Sequence, residues 1–263
     1  SPLSARELRL AISDLLADFI ATPLQTFGAE NAIDLEIDRI GSLPALERLR
    51  ADEIDMAIIA LPENASAPAG AVRLYPLAYA VAVVAVKYSN PLDEISIERL
   101  GGIFGANEEF SYSSWGDLGL PGWGNRSIKP FVGPAANSIA LELFKFSALS
   151  QRQLKSSVVT VQDSEVEGLL RSDPASIAIL SRVPQDSEIK TLMVSGKSDG
   201  AAYGPTADNV HYGDYPMRLA FHIVCHERDD ARVQKIVRVL LSDAIAEELQ
   251  ANHLLALPDS VRR

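Results

Sequence analysis

The first sixty residues alternate strand-like and helix-like periodicity, and that order restricts the chain to a small group of folds. "LRLAI" (8–12) reads as a strand, and "SDLLADFIATPLQTF" (13–27) as a helix capped by Ser13. "IDLEIDRI" (33–40) alternates with period two, the mark of a half-buried strand. "GSLPALERLRAD" (41–52) follows as loop and helix, then "IDMAIIAL" (54–61) as a strand. A β-α-β-α-β run implies an open α/β sheet, largely parallel. Its crossovers are right-handed and leave the helix N-termini along one sheet edge.

The pattern is then interrupted. "LYPLAYAVAVVAVK" (74–87) is a long apolar extended run, and "SIERLGGIF" a short helix after the "NPLDE" turn. Residues 106–127 are rich in Gly, Ser and aromatics and read as a loop. "IKPFVG" (128–133), "SSVVTVQ" (156–162), "ASIAILS" (175–181) and "IKTLMV" (189–194) read as strands, with helices over 138–149 and "DSEVEGLLRS". "YPMRLAFHIVCHE" (215–227) is a long strand, and residues 230–254 form one or two helices. A sheet that starts, gives way to a second α/β unit and then resumes implies two lobes. The expected division is 1–80 with 201–263 for the first lobe and 81–200 for the second.

A chain of 263 residues with 22% charged and 47% hydrophobic residues can bury a core in each lobe. Its 24 basic and 35 acidic residues leave a net charge of −11, and no basic stripe offsets that field, so a nucleic-acid partner is not expected. Cys225 is the one cysteine, which rules out an intrachain disulfide. No apolar run reaches the roughly 18 residues of a membrane span. The chain opens "SPLSARELRLAI" without a signal peptide, so export requires a leader already removed.

Catalytic motifs are sparse. "GKSDG" (196–200) fits G-x-S-x-G, but the loop "AAYGPTADN" follows it, where a nucleophile elbow needs a helix. His222 and His226 share one face of a strand, yet two histidines without a third ligand make an incomplete metal site. No enzyme, cofactor or metal is expected. What remains is a set of loops that end in a small polar residue opening a helix: Ser13 followed by Asp14, Ser42, and Asn137 with Ser138 ahead of Ile139. Ordinary N-capping accounts for each singly. Together, helix N-termini gathered at sheet edges can hold an anion with few charged side chains.

Several long ordered stretches resemble the phosphate-binding proteins, the solute receptors of bacterial phosphate ABC transporters. "IDLEIDRIGSLPALERLRADEIDMAIIAL" is similar to that family's strand, Gly-Ser loop, helix and "DIA" strand. "NPLDEISIERLGGIFG" with the later "SWGDLG" resembles its N-P-L…L…IF-G…N-W-x-x-L-G segment. "VQDSEVEGLLRSDPASIAILS" is similar to the stretch ending in its I-G-Y strand, "YGPTADNVHYGDYPMRLAFHIV" to its P-T-x-x-N segment, and "LLSDAIAEELQANHLLALP" to its closing helix. The resemblance covers nearly the whole chain and implies the two-lobed periplasmic binding protein architecture of type II, each lobe a mostly parallel sheet flanked by helices.

The resemblance also implies a ligand set, and here the chain departs from it. The family holds phosphate with a G-S-T-like first loop, a polar residue after the "DIA" strand, and an R-x-x-x-S-G-T loop. This chain keeps Ser13 but places Asp14 in the first turn, has Leu61 and Pro62 after the third strand, and keeps Ser138. Pro134 stands at the arginine, Ile139 at the glycine and Ala140 at the threonine. Losing a bidentate arginine removes a strong charge-assisted contact, leaving Arg39, Arg126 and Lys129 as the nearby cations. The expected ligand-binding residues are Ser13, Asp14, Ser42, Asn137, Ser138 and Ile139.

The expectation is an exported solute-binding monomer, periplasmic or extracellular, capturing phosphate or another small solute between its lobes for uptake or sensing. Its expected partner is an ABC transporter permease. The alternative is a ligand-independent interaction or sensor protein that keeps the fold without an anion site. A cytoplasmic effector-sensing domain would need a helix-turn-helix, and this sequence opens directly on a strand.

Overall fold

The structure is a computed structural model that describes residues 6–133 and 139–263. The chain divides into two compact units, one running to Tyr79 and resuming over Leu219–Arg263, the other Ala80–Arg218. Residues 201–218 stay with the second unit, and the return falls at Arg218 where the sequence suggested a point near 200. The reason is local bonding. The Tyr215 hydroxyl donates to Ala82 O at 2.5 Å, and the Ala82 N–H donates to Met217 O at 3.1 Å.

The first unit begins with strand β1 (Arg6–Ile12), helix α1 (Asp14–Glu30), β2 (Ile33–Arg39), α2 (Ser42–Arg50), β3 (Met56–Leu61) and β4 (Val72–Val81). β1 pairs in parallel with both β2 and β3, so it lies between them. Right-handed crossovers to neighbours on opposite sides must put their helices on opposite faces of the sheet. Accordingly, Ala45 and Leu49 of α2 pack on Ala11, Ala57 and Ile59, while α1 packs on the C-terminal helices described below. Strand alternation turns the buried Leu10, Ile12, Met56 and Ile58 toward the face opposite to α2.

The long apolar run of 74–87 is two strands, β4 and β5 (Val83–Lys87), with Ala82 between them. The second unit continues through β6 (Glu94–Ser96), α3 (Ile97–Phe104), β7 (Lys129–Val132), α4 (Ile139–Ala148), β8 (Val159–Thr160), α5 (Asp163–Ser172) and β9 (Ser176–Leu180). Then come β10 (Ile189–Thr191), β11 (Met193–Ser195), β12 (Ala202–Tyr203) and α6 (Ala207–His211). Its larger sheet runs β10-β5-β9-β7-β8, parallel through β9-β7-β8 and antiparallel through β10-β5-β9. "IKTLMV" is split at Leu192, whose N–H donates to Val84 O at 2.9 Å. β10 joins that sheet, and β11 joins a smaller one ordered β12-β11-β6.

The chain returns with β13 (Arg218–His226), α7 (Asp230–Leu240), α8 (Asp243–Ala251), β14 (Leu255–Ala256) and α9 (Asp259–Arg262). The first unit's sheet is therefore ordered β14-β4-β13-β3-β1-β2, with β13 antiparallel to β3. The region 230–254 resolves into two helices because Ser242 caps a new one, its Oγ accepting from Ile245 N at 3.4 Å. His226, one of the strand's histidine pair, bonds through Nε2 to Leu49 O at 2.8 Å, a structural role at the α2 C-terminus. Among the described residues, no group of three His, Cys, Asp or Glu could hold a metal, and no helix is long and apolar enough to cross a membrane.

Candidate functional site at the carboxyl edge of the first sheet

Because β1, β2 and β3 are parallel, their carboxyl ends share one edge. Two helices start there on opposite faces, the arrangement that opens a crevice in α/β sheets. Ser13 follows β1 directly and is buried. Its N–H donates to Ile58 O at 2.8 Å, and its Oγ accepts from Leu15 N at 3.4 Å, capping α1. Asp14 is the exposed first residue of that helix, where its carboxylate faces the positive dipole end.

Ser42 takes a different part from the one its sequence context suggests. Gly41 is the N-cap of α2 and Ser42 lies inside the first turn. Its Oγ accepts from Ala60 N on β3 at 2.9 Å, so the loop leaving β2 passes over the end of β1 to reach β3. A hydroxyl that accepts from an amide keeps its own proton to donate. Among the described residues no acceptor takes the proton of Ser13 or Ser42. The edge therefore presents two hydroxyl donors beside the free N–H groups of two helix starts. Pro44 supplies no N–H to the α2 turn, which makes the contribution of Ser42 there weightier.

The three cations divide by topology. Arg39 ends β2 at this edge and pairs with Asp18, which lies one helical turn beyond Asp14 on α1. Asp18 is the residue the sequence reading missed. Its i+4 spacing from Asp14 was the signal available, because it places both carboxylates on one stripe of α1. Arg126 and Lys129 instead pair with Asp173, at 3.4 and 2.5 Å. Lys129 opens β7 in register with Ser176 at the start of β9, so this cluster sits at the amino end of those parallel strands. Neither cation reaches the carboxyl end of β7, where the chain enters α4.

The Asp173 carboxyl is held below its ordinary 3.8, first by the Lys129 ammonium and then by the Ala175 N–H. A lowered carboxyl adds stability that is full above that ordinary value and fades as pH falls through the folded-state value. Asp173→Asn is therefore expected to be less stable than the parent near neutrality, with the two melting temperatures converging as pH drops below 3.8. Parallel curves across that range would remove Asp173 from the acid response.

In the second unit Ile139 opens α4 and is half-buried, with Ala140 buried beside it. Both are apolar where a donor would be useful. Asn137 and Ser138, with Pro134, lie outside the described residues. Leu61 is half-buried at the end of β3 and Pro62 exposed after it, so that strand end offers no polar side chain at either position.

No curated protein matches the sequence. Solved structures do match in fold. PstS from Borrelia burgdorferi is 15% identical with a TM-score of 0.75, the alignment covering 96% of this chain and 99% of that one. A possible phosphate binding protein from Planctomyces limnophilus DSM 3776 is 16% identical with a TM-score of 0.74 over 98% and 95%. An ABC-type phosphate transport receptor from Vibrio cholerae is 16% identical with a TM-score of 0.64 over 95% and 100%. At these identities the likeness establishes a shared fold. The PBP superfamily domain matches residues 5–244, and the chain belongs to that superfamily.

Proposed function

We propose that this protein is an exported, non-enzymatic solute-binding protein that takes a phosphate-class oxyanion at the carboxyl edge of β1, β2 and β3 and serves ABC-type uptake or sensing. The observation that carries the reading is the pair of hydroxyls, Ser13 and Ser42. Each is held in place by a backbone N–H and left with a proton to donate, beside two helix N-termini. Hydroxyls and amides in this arrangement bind an anion without an arginine. Asp14 disfavours a fully deprotonated ligand and accepts a hydrogen bond from one that still carries a proton, which separates hydrogen phosphate from sulfate. The named relatives, phosphate receptors among them, support the ligand class, and a permease partner follows from the same reading.

Calorimetric titration with phosphate and sulfate tests it. A hydrogen bond to a charged group is worth about 1.5–3 kcal/mol, so Ser13→Ala and Ser42→Ala are each expected to weaken phosphate binding by roughly 10- to 100-fold. Each variant also loses about 1 kcal/mol of stability through its cap or strand bond, which leaves a folded protein to titrate. Unchanged affinity in both variants would move the ligand away from this edge. The competing reading, a fold kept for interaction alone, draws on the apolar Leu61, Ile139 and Ala140 and predicts no phosphate heat in the parent protein.

A further inference from the structure

On the face of the first sheet that carries α2, Ala11, Ala57, Ile59 and Val224 are buried, and Leu46 and Val72 pack on them partly exposed at the margin. The nine-residue α2 and residues 68–71 of the loop between β3 and β4 border this margin. The part of that loop facing the margin, "PAGA" (68–71), carries only small side chains. A cavity of about 270 Å³ results, close to the roughly 300 Å³ lower end of small-molecule pockets. Its apolar wall includes Leu46, Leu49, Val72 and Val224, and its polar wall is Arg50, His226 and Arg228.

The polar groups are unequally committed. Asp52 takes both Arg228 and His226, and His226 also donates to Leu49 O at 2.8 Å. Arg50 stands four residues after Leu46, on the same stripe of α2, and is exposed. Among the described residues it has no ion-pair partner. One guanidinium without an ion-pair partner beside a largely aliphatic wall fits one kind of occupant.

We propose that this cavity is a second ligand site, separate from the anion edge, for a small monocarboxylate with an aliphatic tail. The carboxylate pairs with Arg50, and the tail lies on Leu46, Leu49, Val72 and Val224. The site sits beside the C-terminal end of α2, whereas Ser42 lies in that helix's first turn.

Octanoate is the probe, followed by methyl NMR of the full chain, with octanol and phosphate as comparisons. Octanoate is expected to shift the methyls of Leu46, Leu49, Val72 and Val224, and octanol to bind more weakly. Arg50→Glu is expected to weaken octanoate by about tenfold or more while leaving phosphate titration unchanged. Leu46→Trp, which fills the pocket, is expected to abolish the shifts. No shift into the millimolar range, equal binding of octanol, or an unaltered Arg50→Glu would overturn the proposal. So would displacement of octanoate by phosphate, which would assign the probe to the anion edge.

Discussion

Phosphate at ~1,000 times its Kd is expected to raise the melting temperature by roughly 8–16 °C, and sulfate at the same concentration to leave it unchanged. A ligand that binds only the folded state adds RT ln(1 + [L]/Kd), about 4 kcal/mol at that excess. For a chain of this size each kcal/mol moves the midpoint by roughly 2–4 °C. The donors at the first sheet's edge are the N–H group of Asp14, which opens α1, and the hydroxyls of Ser13 and Ser42, held by Leu15 N and Ala60 N before any ligand arrives. Preorganised donors lose little entropy on binding, which is the reason for expecting phosphate affinity without an arginine in the third loop. Thermal shift scans across phosphate concentration check the result. A flat response at millimolar phosphate would mean that Asp14 and the Arg39–Asp18 pair have closed the edge to anions.

The second large effect concerns the long loop of the second unit. Trp115→Ala is expected to cost about 4 kcal/mol, read as a fall in the urea midpoint. Trp115 is fully buried, and its Nε1–H donates to Ala175 O at 3.0 Å, where β9 begins. Trp123 meets its ring edge-on at 5.7 Å between centroids, and the Trp115 N–H donates to Arg126 O. The substitution leaves a cavity and takes from Ala175 O one of its two donors, the other being the Lys129 N–H at 3.0 Å. Gly116 shows how closely this loop is folded, since a Cβ there would lie 2.1 Å from Gly124 O. Trp115→Phe keeps most of the packed ring and forfeits the hydrogen bond, so about 1–2 kcal/mol is expected. A cost below about 1 kcal/mol for Trp115→Ala would show that Trp115 does not anchor the loop.

The elements most legible in the sequence were those with long, clean periodicity. β1, α1, β2, α2 and β3 stand within a few residues of their expected ends, because burial on one face forces the pattern. The second unit was harder to read. "LYPLAYAVAVVAVK" and "IKTLMV" are continuous as apolar runs, yet Ala82 and Leu192 each divide one. Residues 77–86 are buried throughout and so carry no signal for where the partner strand changes, and the six residues of "IKTLMV" are too few to show one. The return near residue 200 shifted to Arg218 for a similar reason, since Tyr215 and Met217 are held by hydrogen bonds to Ala82, far away in sequence.

The candidate site divides along the same line. That Ser13 caps a helix and that Asp14 sits in its first turn follow from local chemistry, and the sequence alone determined both. That the Ser42 hydroxyl reaches Ala60, that Arg39 is taken by Asp18, and that Arg126 and Lys129 lie with Asp173 at the amino end of β7 are tertiary decisions. Capping reads from neighbours three or four residues away. A charge's partner depends on which strand ends and helix faces the topology brings together, and strand order is not written in periodicity.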